Sequence, residues 1–567
     1  MTEPKIWASL HPFFEQGAIL GRIEANRGFI RALLKMDAFA AYHFFLPHPD
    51  DCAFLEAELR RGFPDLLAEG RFAVRLRRDL PQALNTENYY CMHLSDPFTC
   101  YTDIMCLRNA FSRRVFPLTA PTHSLSYAEY GQYFLQHIWG GTTRRDALVA
   151  TSQAGLRVAR KYYDLLRRNY RLDPDLFFSP ALRHIPLGVD PEHFPAPEEK
   201  AALEASCRRQ YGLEGTLVFL IFARISYQSK MDLLPVLRAF KRAEAYGLKP
   251  RSYCLLLAGW VEEGSDSFGD SLKELAANLG IRCLLAARPD EAARKALYAA
   301  ADVFLSPVDN LQETFGLTLL EAGVSSLPVI ASDFDGYRDL VLDGGTGFLV
   351  PTTGPSSTSG TDALRAVPPA SEYHLLLAQQ CAVEVEAMAR AIHRLALDGD
   401  LRRSMGAAGR ERVLASFTWK HIVGRYLDLW AELGAEPCPL PETPAERPAS
   451  ALFHPAGPCY MEIFDAYFTS RIDDLAREGR KLRWSRSGEA VYRGKDFPVV
   501  YRLIEDRAKL ERLKRILFMA RKPVSVADLQ RTMLDTPPED IPRDRDFLLL
   551  WALKHDFLEF AGEDADC

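Results

Sequence analysis

Residues 302–323 read DVFLSPVDNLQETFGLTLLEAG. The opening DVFLSP is a short apolar run closed by Pro, the pattern of a buried strand, and the end carries Phe315, Leu317, Leu319 and Leu320 as a packed helix would. Asn310 to Gly316 is then the loop between them, with Glu313 just before a helix predicted to begin near Thr314 or Phe315. The first turn of such a helix has unpaired N–H groups and a partial positive charge, which suits a phosphate. Gly316 lets backbone approach a ligand closely. Glu321, about two turns on, can turn to the same end of the sheet and accept hydrogen bonds from hydroxyls. A diphosphate flanked by two polyhydroxylated groups, the shape of a nucleotide sugar, uses all three features.

The same alternation extends in both directions. KIWASLHPF, AYHFFLP, NYYCMHL, RVFPLTA and ALVATS read as strands in the first part of the chain, separated by segments such as Glu24 to Lys35 with apolar residues at helical spacing. The pattern restarts with HIPLGVD, TLVFLIFAR, SYCLLLAG, RCLLAA, DVFLSP, LPVIAS and GFLV, and residues 401–433 read as long helices. This βα alternation predicts an α/β fold of two doubly wound Rossmann-like domains, whose strand C-termini share a cleft. The first is expected over 1–183 and the second over 184–434.

Composition sets the outer bounds. A chain of 567 residues exceeds what one core holds, and its net charge of −6 gives no general attraction to nucleic acid or anionic membranes. Any polyanion must be held locally. After the strand TLVFLIFAR, FARISYQSKMDLL places Arg224 and Lys230 where two cations neutralise a diphosphate. The eleven cysteines show no CxxC pair or Cys/His cluster at metal spacing, which reads as reduced, cytoplasmic and zinc-free. The N-terminus has no signal-peptide pattern, and no apolar run is long enough to span a bilayer.

In order along the chain, HIPLGVDPEHF, the Arg224/Lys230 pair, SPVDNLQETFGLTLLEAG, LPVIASDFDGYRDLV and DGGTGFLVPT resemble the donor domain of the GT-B retaining glycosyltransferases of family 4. RRSMGAAGRERVLASFTWKHIVGRYLDLW resembles that family's closing helices, and Glu313 and Glu321 correspond to its E-x7-E motif. The resemblance implies that Glu313 meets sugar hydroxyls, that the N–H groups of Phe315, Gly316 and Leu317 lie near sugar and phosphate, that Glu321 binds the ribose, and that Arg224 and Lys230 hold the diphosphate. PTHSLSY resembles the family's HSL segment, which places His123 beside the donor sugar. QGAILGR resembles its glycine loop, with Gly17 near the phosphate. The implied catalytic set is His123, Arg224, Lys230 and Glu313, with a nucleotide-diphosphate sugar as substrate, no cofactor and no divalent metal. A donor phosphate oxygen is implied as the group that takes the acceptor proton. The acceptor is left open among small molecule, glycan, lipid and protein.

Composition marks two interruptions. TTGPSSTSGTDALRAVPPASE, residues 352–372, is expected as a surface loop, and AEPCPLPETPAERPAS, 435–450, as a proline-rich linker. A third module, 451–567, is expected to be winged-helix-like, with LRWSRSGEAVYRG as a hairpin turning at Gly488 and helices over Arg507–Ala520, Ser525–Leu534 and Asp544–His555. Its acids and bases nearly cancel and its third helix is mostly apolar, so protein contact rather than nucleic acid is the expected role. Two rival readings keep the fold: a nucleotide-sugar hydrolase or epimerase, and a non-catalytic scaffold acting through the last module.

Overall fold

Seven strands form the first sheet: β1 (Ile6–Ser9), β2 (Ala41–Leu46), β3 (Phe72–Leu76), β4 (Tyr89–His93), β5 (Leu118–Pro121), β6 (Asp146–Ala150) and β7 (Ala181–His184). They are parallel and ordered β3-β2-β1-β4-β5-β6-β7. Six more form the second: β8 (Leu217–Phe222), β9 (Tyr253–Gly259), β10 (Cys283–Ala287), β11 (Val303–Ser306), β12 (Val329–Ser332) and β13 (Gly347–Val350), ordered β10-β9-β8-β11-β12-β13 and again parallel. These are observations on a computed structural model, which describes residues 4–15, 21–226, 230–260, 266–457, 460–494, 507–534 and 546–561. The central strands are continuous apolar runs, such as YCLLLAG in β9, whose seven residues are all buried. Helices covering both faces of a parallel sheet require that composition. The α/β reading with two doubly wound sheets is thereby borne out.

The crossing between the sheets differs from expectation. HIPLGVD is not a strand of the second sheet: His184 ends β7, and the chain then crosses with Val189 bridged to Thr418. The long helices fall at Gly399–Ser416 and Trp419–Ala435. The second returns to the first sheet, where Trp419, Ile422, Tyr426 and Trp430 join the core around Phe29 and Phe39. Trp430 Nε1 donates to Thr119 Oγ1 at 2.8 Å. A Cβ on Gly28 would stand 2.1 Å from Trp419 Nε1, so glycine is what admits this indole. The expected closing helices thus pack on both halves.

Residues 352–372 are not a bare loop. Thr352 and Thr353 pair antiparallel with Val383 and Ala382, and the insertion carries helices Ser359–Asp362 and Ala370–Ala378. Nor do residues 435–450 run free as a linker. The Arg447 guanidinium is 4 % exposed and donates to the carbonyls of Asn109 (2.6 Å), Arg113 (3.2 Å), Pro441 (2.7 Å) and Glu442 (3.0 Å). Asn109 Nδ2 returns a bond of 2.9 Å to the Ala451 carbonyl. Buried carbonyls of the first domain take this segment as their partner, which is why it is ordered despite its prolines. The chain accordingly divides into two compact units at Met1–His454 and Pro455–Cys567.

The second unit has its own core, including Leu482, Val491, Leu513, Ile516, Leu529, Leu549 and Phe557. The strand Lys481–Trp484 lies between Val524–Ser525 and Leu558–Phe560, antiparallel to both. The expected hairpin turn at Gly488 is a helix instead, Arg486–Tyr492, capped by Ser485 Oγ accepting from Gly488 N at 3.2 Å. A Cβ at Gly488 would lie 2.3 Å from the Phe557 carbonyl oxygen, so close packing explains this glycine. The three expected helices run over Arg507–Met519, Val526–Leu534 and Phe547–Lys554, with the start expected at Asp544 outside the described residues. Leu548, Leu549, Trp551 and Ala552 of the last helix are buried.

Candidate functional site

The helix after β11 starts later than its sequence suggests. It spans Leu317–Val324, with Gly316 as N-cap at φ 101° and ψ 58°. That left-handed conformation favours glycine, and a Cβ there would also stand 2.3 Å from the Tyr337 ring. Gly316 therefore makes room for the Tyr337 ring. The Phe315 amide precedes the helix and donates to Glu313 Oε1 at 3.2 Å, as does the Thr314 amide at 3.2 Å. The Phe315 amide is thus taken by Glu313, and the helical first turn begins at Leu317.

Glu313 is the hub of this loop. Its other carboxylate oxygen accepts from Lys230 Nζ and, at 3.4 Å, from Tyr337 Oη. Burial alone would raise its pKa, but Lys230 and the two amides outweigh that and hold the carboxyl below its ordinary value. A buried acid is thereby kept ionised at the strand end.

Arg224, Lys230, Glu313, Phe315, Gly316, Leu317 and Glu321 all line one cavity of about 740 Å3, and His123 lines it from the first domain. This volume suits a substantial small-molecule ligand. The cavity lies at the C-terminal ends of β8, β9 and β11, where ligands bind in open parallel sheets. Gly17 lies outside the described residues. His123 Nε2 donates to the Ser95 carbonyl at 2.9 Å, and burial lowers its pKa to about 4, so the imidazole is neutral at pH 7. Asp96 accepts from the amides of Phe98 and Thr99 at 2.9 Å each and serves its own turn.

Sequence reading missed the partners of Glu321. Arg294 pairs with one carboxylate oxygen and Tyr298 Oη donates to the other at 2.6 Å. The Arg294 guanidinium lies over the rings of Phe194 (5.1 Å) and Phe222 (5.6 Å). Arg294 sits in an amphipathic helix, and no spacing rule links it to a residue 27 positions on. Two further buried acids were missed, Asp309 beside the Asp232 amide and Asp335 beside Ser152. Burial pushes the carboxyls of Asp309 and Asp335 up to about 7. Trp260 and Arg288 also line the cavity, the guanidinium 4.7 Å from the indole ring. Among the described residues no group of three or more His, Cys, Asp or Glu is placed to hold one metal ion.

Residues 206–365 match the family model described as glycosyl transferases group 1. The match contains Arg224, Lys230, Glu313 and Glu321. The chain is 27 % identical over 297 residues to alpha-maltose-1-phosphate synthase of Mycolicibacterium smegmatis, covering 51 % of this chain and 64 % of that protein. It is 30 % identical over 292 residues to D-inositol 3-phosphate glycosyltransferase of Stackebrandtia nassauensis, covering 50 % and 56 %. It thus spans less than two thirds of either relative. A glycosyltransferase structure from Rickettsia africae superposes with a TM-score of 0.51 at 17 % identity, over 77 % of this chain and all of the other. The fold of the first unit is the two-domain, Rossmann-like GT-B arrangement. Among the described residues no helix is long and apolar enough to cross a membrane.

Proposed function

We propose that this protein is a retaining, family 4-type glycosyltransferase that moves a hexosyl group from a nucleotide-diphosphate sugar to an acceptor hydroxyl. The observation that carries this reading is the convergence of Arg224, Lys230, Glu313 and Glu321, from three separate elements, on one cavity at the strand ends. One of the matching relatives, D-inositol 3-phosphate glycosyltransferase, is a glycosyltransferase by name, and the other is a synthase of a sugar phosphate, which supports the same reaction class.

In this reading Arg224 and Lys230 hold the diphosphate, with the Leu317 end of the helix adding its amides. Glu313 receives sugar hydroxyls, and Glu321, kept rigid by Arg294 and Tyr298, receives the ribose. The transition state resembles an oxocarbenium ion, so the protein's main task is to stabilise charge developing on the leaving diphosphate. The C1–O bond to the diphosphate breaks while the acceptor oxygen bonds to C1 on the same face. The acceptor proton passes to a donor phosphate oxygen. Neutral His123 serves as a hydrogen-bonding group beside the sugar. Charge compensation falls to the protein's own cations, and the scheme calls for no divalent metal or cofactor.

The test is a thermal-shift screen of UDP-, GDP-, ADP- and dTDP-sugars and their diphosphates, followed by product analysis with cell extract as acceptor source. A native-state ligand raises the melting temperature, and transfer gives an α-linked product from an α-linked donor. Diphosphate release that is indifferent to extract would make the protein a hydrolase. Absence of any shift would leave only a scaffold.

A further inference from the structure

The insertion after β13 meets the first domain at a buried imidazole. His374, in the helix Ala370–Ala378, is 1 % exposed. Its Nε2 lies 2.8 Å from Ser126 Oγ and 3.2 Å from the Ser126 carbonyl oxygen, and its Nδ1 lies 3.1 Å from Gln312 Nε2. Gln312 Nε2 can only donate, so Nδ1 accepts and Nε2 carries the hydrogen toward Ser126. Gln312 Nε2 is also 3.5 Å from Tyr127 Oη, and the Tyr127 ring stands edge-on to the imidazole at 5.1 Å. Tyr127 and Gln312 line the large cavity from opposite domains, along with His123 and Ser124. His374 is not part of that lining.

The residue before Glu313 and the loop after His123 are thus tied to each other through a third element that touches neither reacting group. We propose that His374 is a positioning residue, which fixes Tyr127 and Gln312 as the wall that keeps water from the donor sugar and shapes the seat of the acceptor. The proposal rests on the glycosyl-transfer reading. In that reaction water is the competing acceptor: its oxygen bonds to C1, the C1–O bond to the diphosphate breaks, and the water proton passes to the diphosphate, giving free sugar. Loosening the wall admits water without altering the groups that grip the diphosphate.

The experiment measures diphosphate release from full-length protein without acceptor, using whichever UDP-, GDP-, ADP- or dTDP-sugar raises the melting temperature. His374→Ala is expected to raise hydrolysis by about tenfold with donor KM held within about twofold, because the loss is confined to water exclusion. His374→Gln offers an amide donor to Ser126 and an oxygen acceptor to Gln312, and is expected to restore the wild-type rate. A folded His374→Ala protein that hydrolyses donor at the wild-type rate overturns the proposal, as does a Gln variant equally leaky. Donor KM rising in step with the rate overturns it too. Should His374→Ala fail to fold, Ser126→Ala removes the hydroxyl partner alone, and an unchanged rate there has the same force. If no nucleotide sugar shifts the wild-type protein, the glycosyl-transfer reading has failed and the positioning role falls with it.

Discussion

Lys230 and Glu313 face each other as an ion pair that joins the loop after β8 to the loop after β11. The side chains are only 19 % and 11 % exposed, so each is the other's main compensation for lost water. Removing the cation with Lys230→Met leaves a buried carboxylate that keeps Tyr337 and two backbone amides. Because the folded-state pKa of Glu313 lies below its ordinary 4.5, its ionisation stabilises the fold above about pH 4.5, and that contribution is lost as pH falls through the depressed folded value. Wild type is therefore expected to exceed Lys230→Met in stability at pH 7, with the gap closing in acid. Urea midpoints between pH 7 and 3 measure it, and a gap independent of pH removes the ion pair as its cause.

Glu321 makes a separate prediction, because its carboxylate is already held by Arg294 and Tyr298. Glu321→Ala deprives Arg294 of its counter-charge and Tyr298 of its acceptor. Leaving such groups unsatisfied costs about 1–3 kcal/mol. Adding Arg294→Met should recover part of that loss, giving a double-mutant coupling above about 0.5 kcal/mol. Donor affinity should fall at least about tenfold in Glu321→Ala and stay low in the double variant, since the carboxylate proposed to meet the ribose is still missing. Denaturant titration and calorimetric donor binding separate the two effects; affinity regained in the double variant would reassign the ribose contact.

The strands that were legible in the sequence are uninterrupted apolar runs, such as the buried β8 and β9 and the edge strands β10 and β13. β3 was missed because FAVRL sits at the sheet edge, half-buried throughout and interrupted by Arg75. β7, at the other edge, is half-buried in the same way. The acids at 313 and 321 could be picked out because they stand at fixed offsets from a strand and a glycine. Arg294, Tyr337 and His374 could not, since each meets the site through tertiary packing that no local period encodes. The proline-rich stretch misled for a related reason: its order comes from carbonyls of another element, which Arg447 finds only after folding.

Gly316→Ala tests the backbone directly. At φ 101° a Cβ is strained, and the ring of Tyr337 already fills the space at 2.3 Å. Strain of this kind costs about 1–3 kcal/mol, and the clash adds to it. Tyr337→Leu in the same chain removes the ring but not the unfavourable φ, so it should relieve only part of the loss. Thermal melts of the two single variants and the double distinguish the terms. If Gly316→Ala melts with wild type, the left-handed cap is not adopted in solution.

Asp309 gives a pH dependence of opposite sign to that of Glu313. It is 5 % exposed, accepts from the Asp232 amide at 3.2 Å, and its carboxyl is pushed by burial from 3.8 to about 7. Below about pH 4 both folded and unfolded chains hold the proton, and the group contributes no difference. Between about 4 and 7 the unfolded chain ionises while the folded one keeps its proton, so this site makes the protein progressively less stable as pH rises. Asp309→Asn cannot ionise and keeps a carbonyl oxygen for the Asp232 amide. Its stability relative to wild type should therefore climb from pH 4 to pH 7 and level off above. Guanidinium midpoints for both proteins across that range provide the measurement. A difference that stays flat would mean that the Asp309 carboxyl titrates at its ordinary value, and that water reaches it.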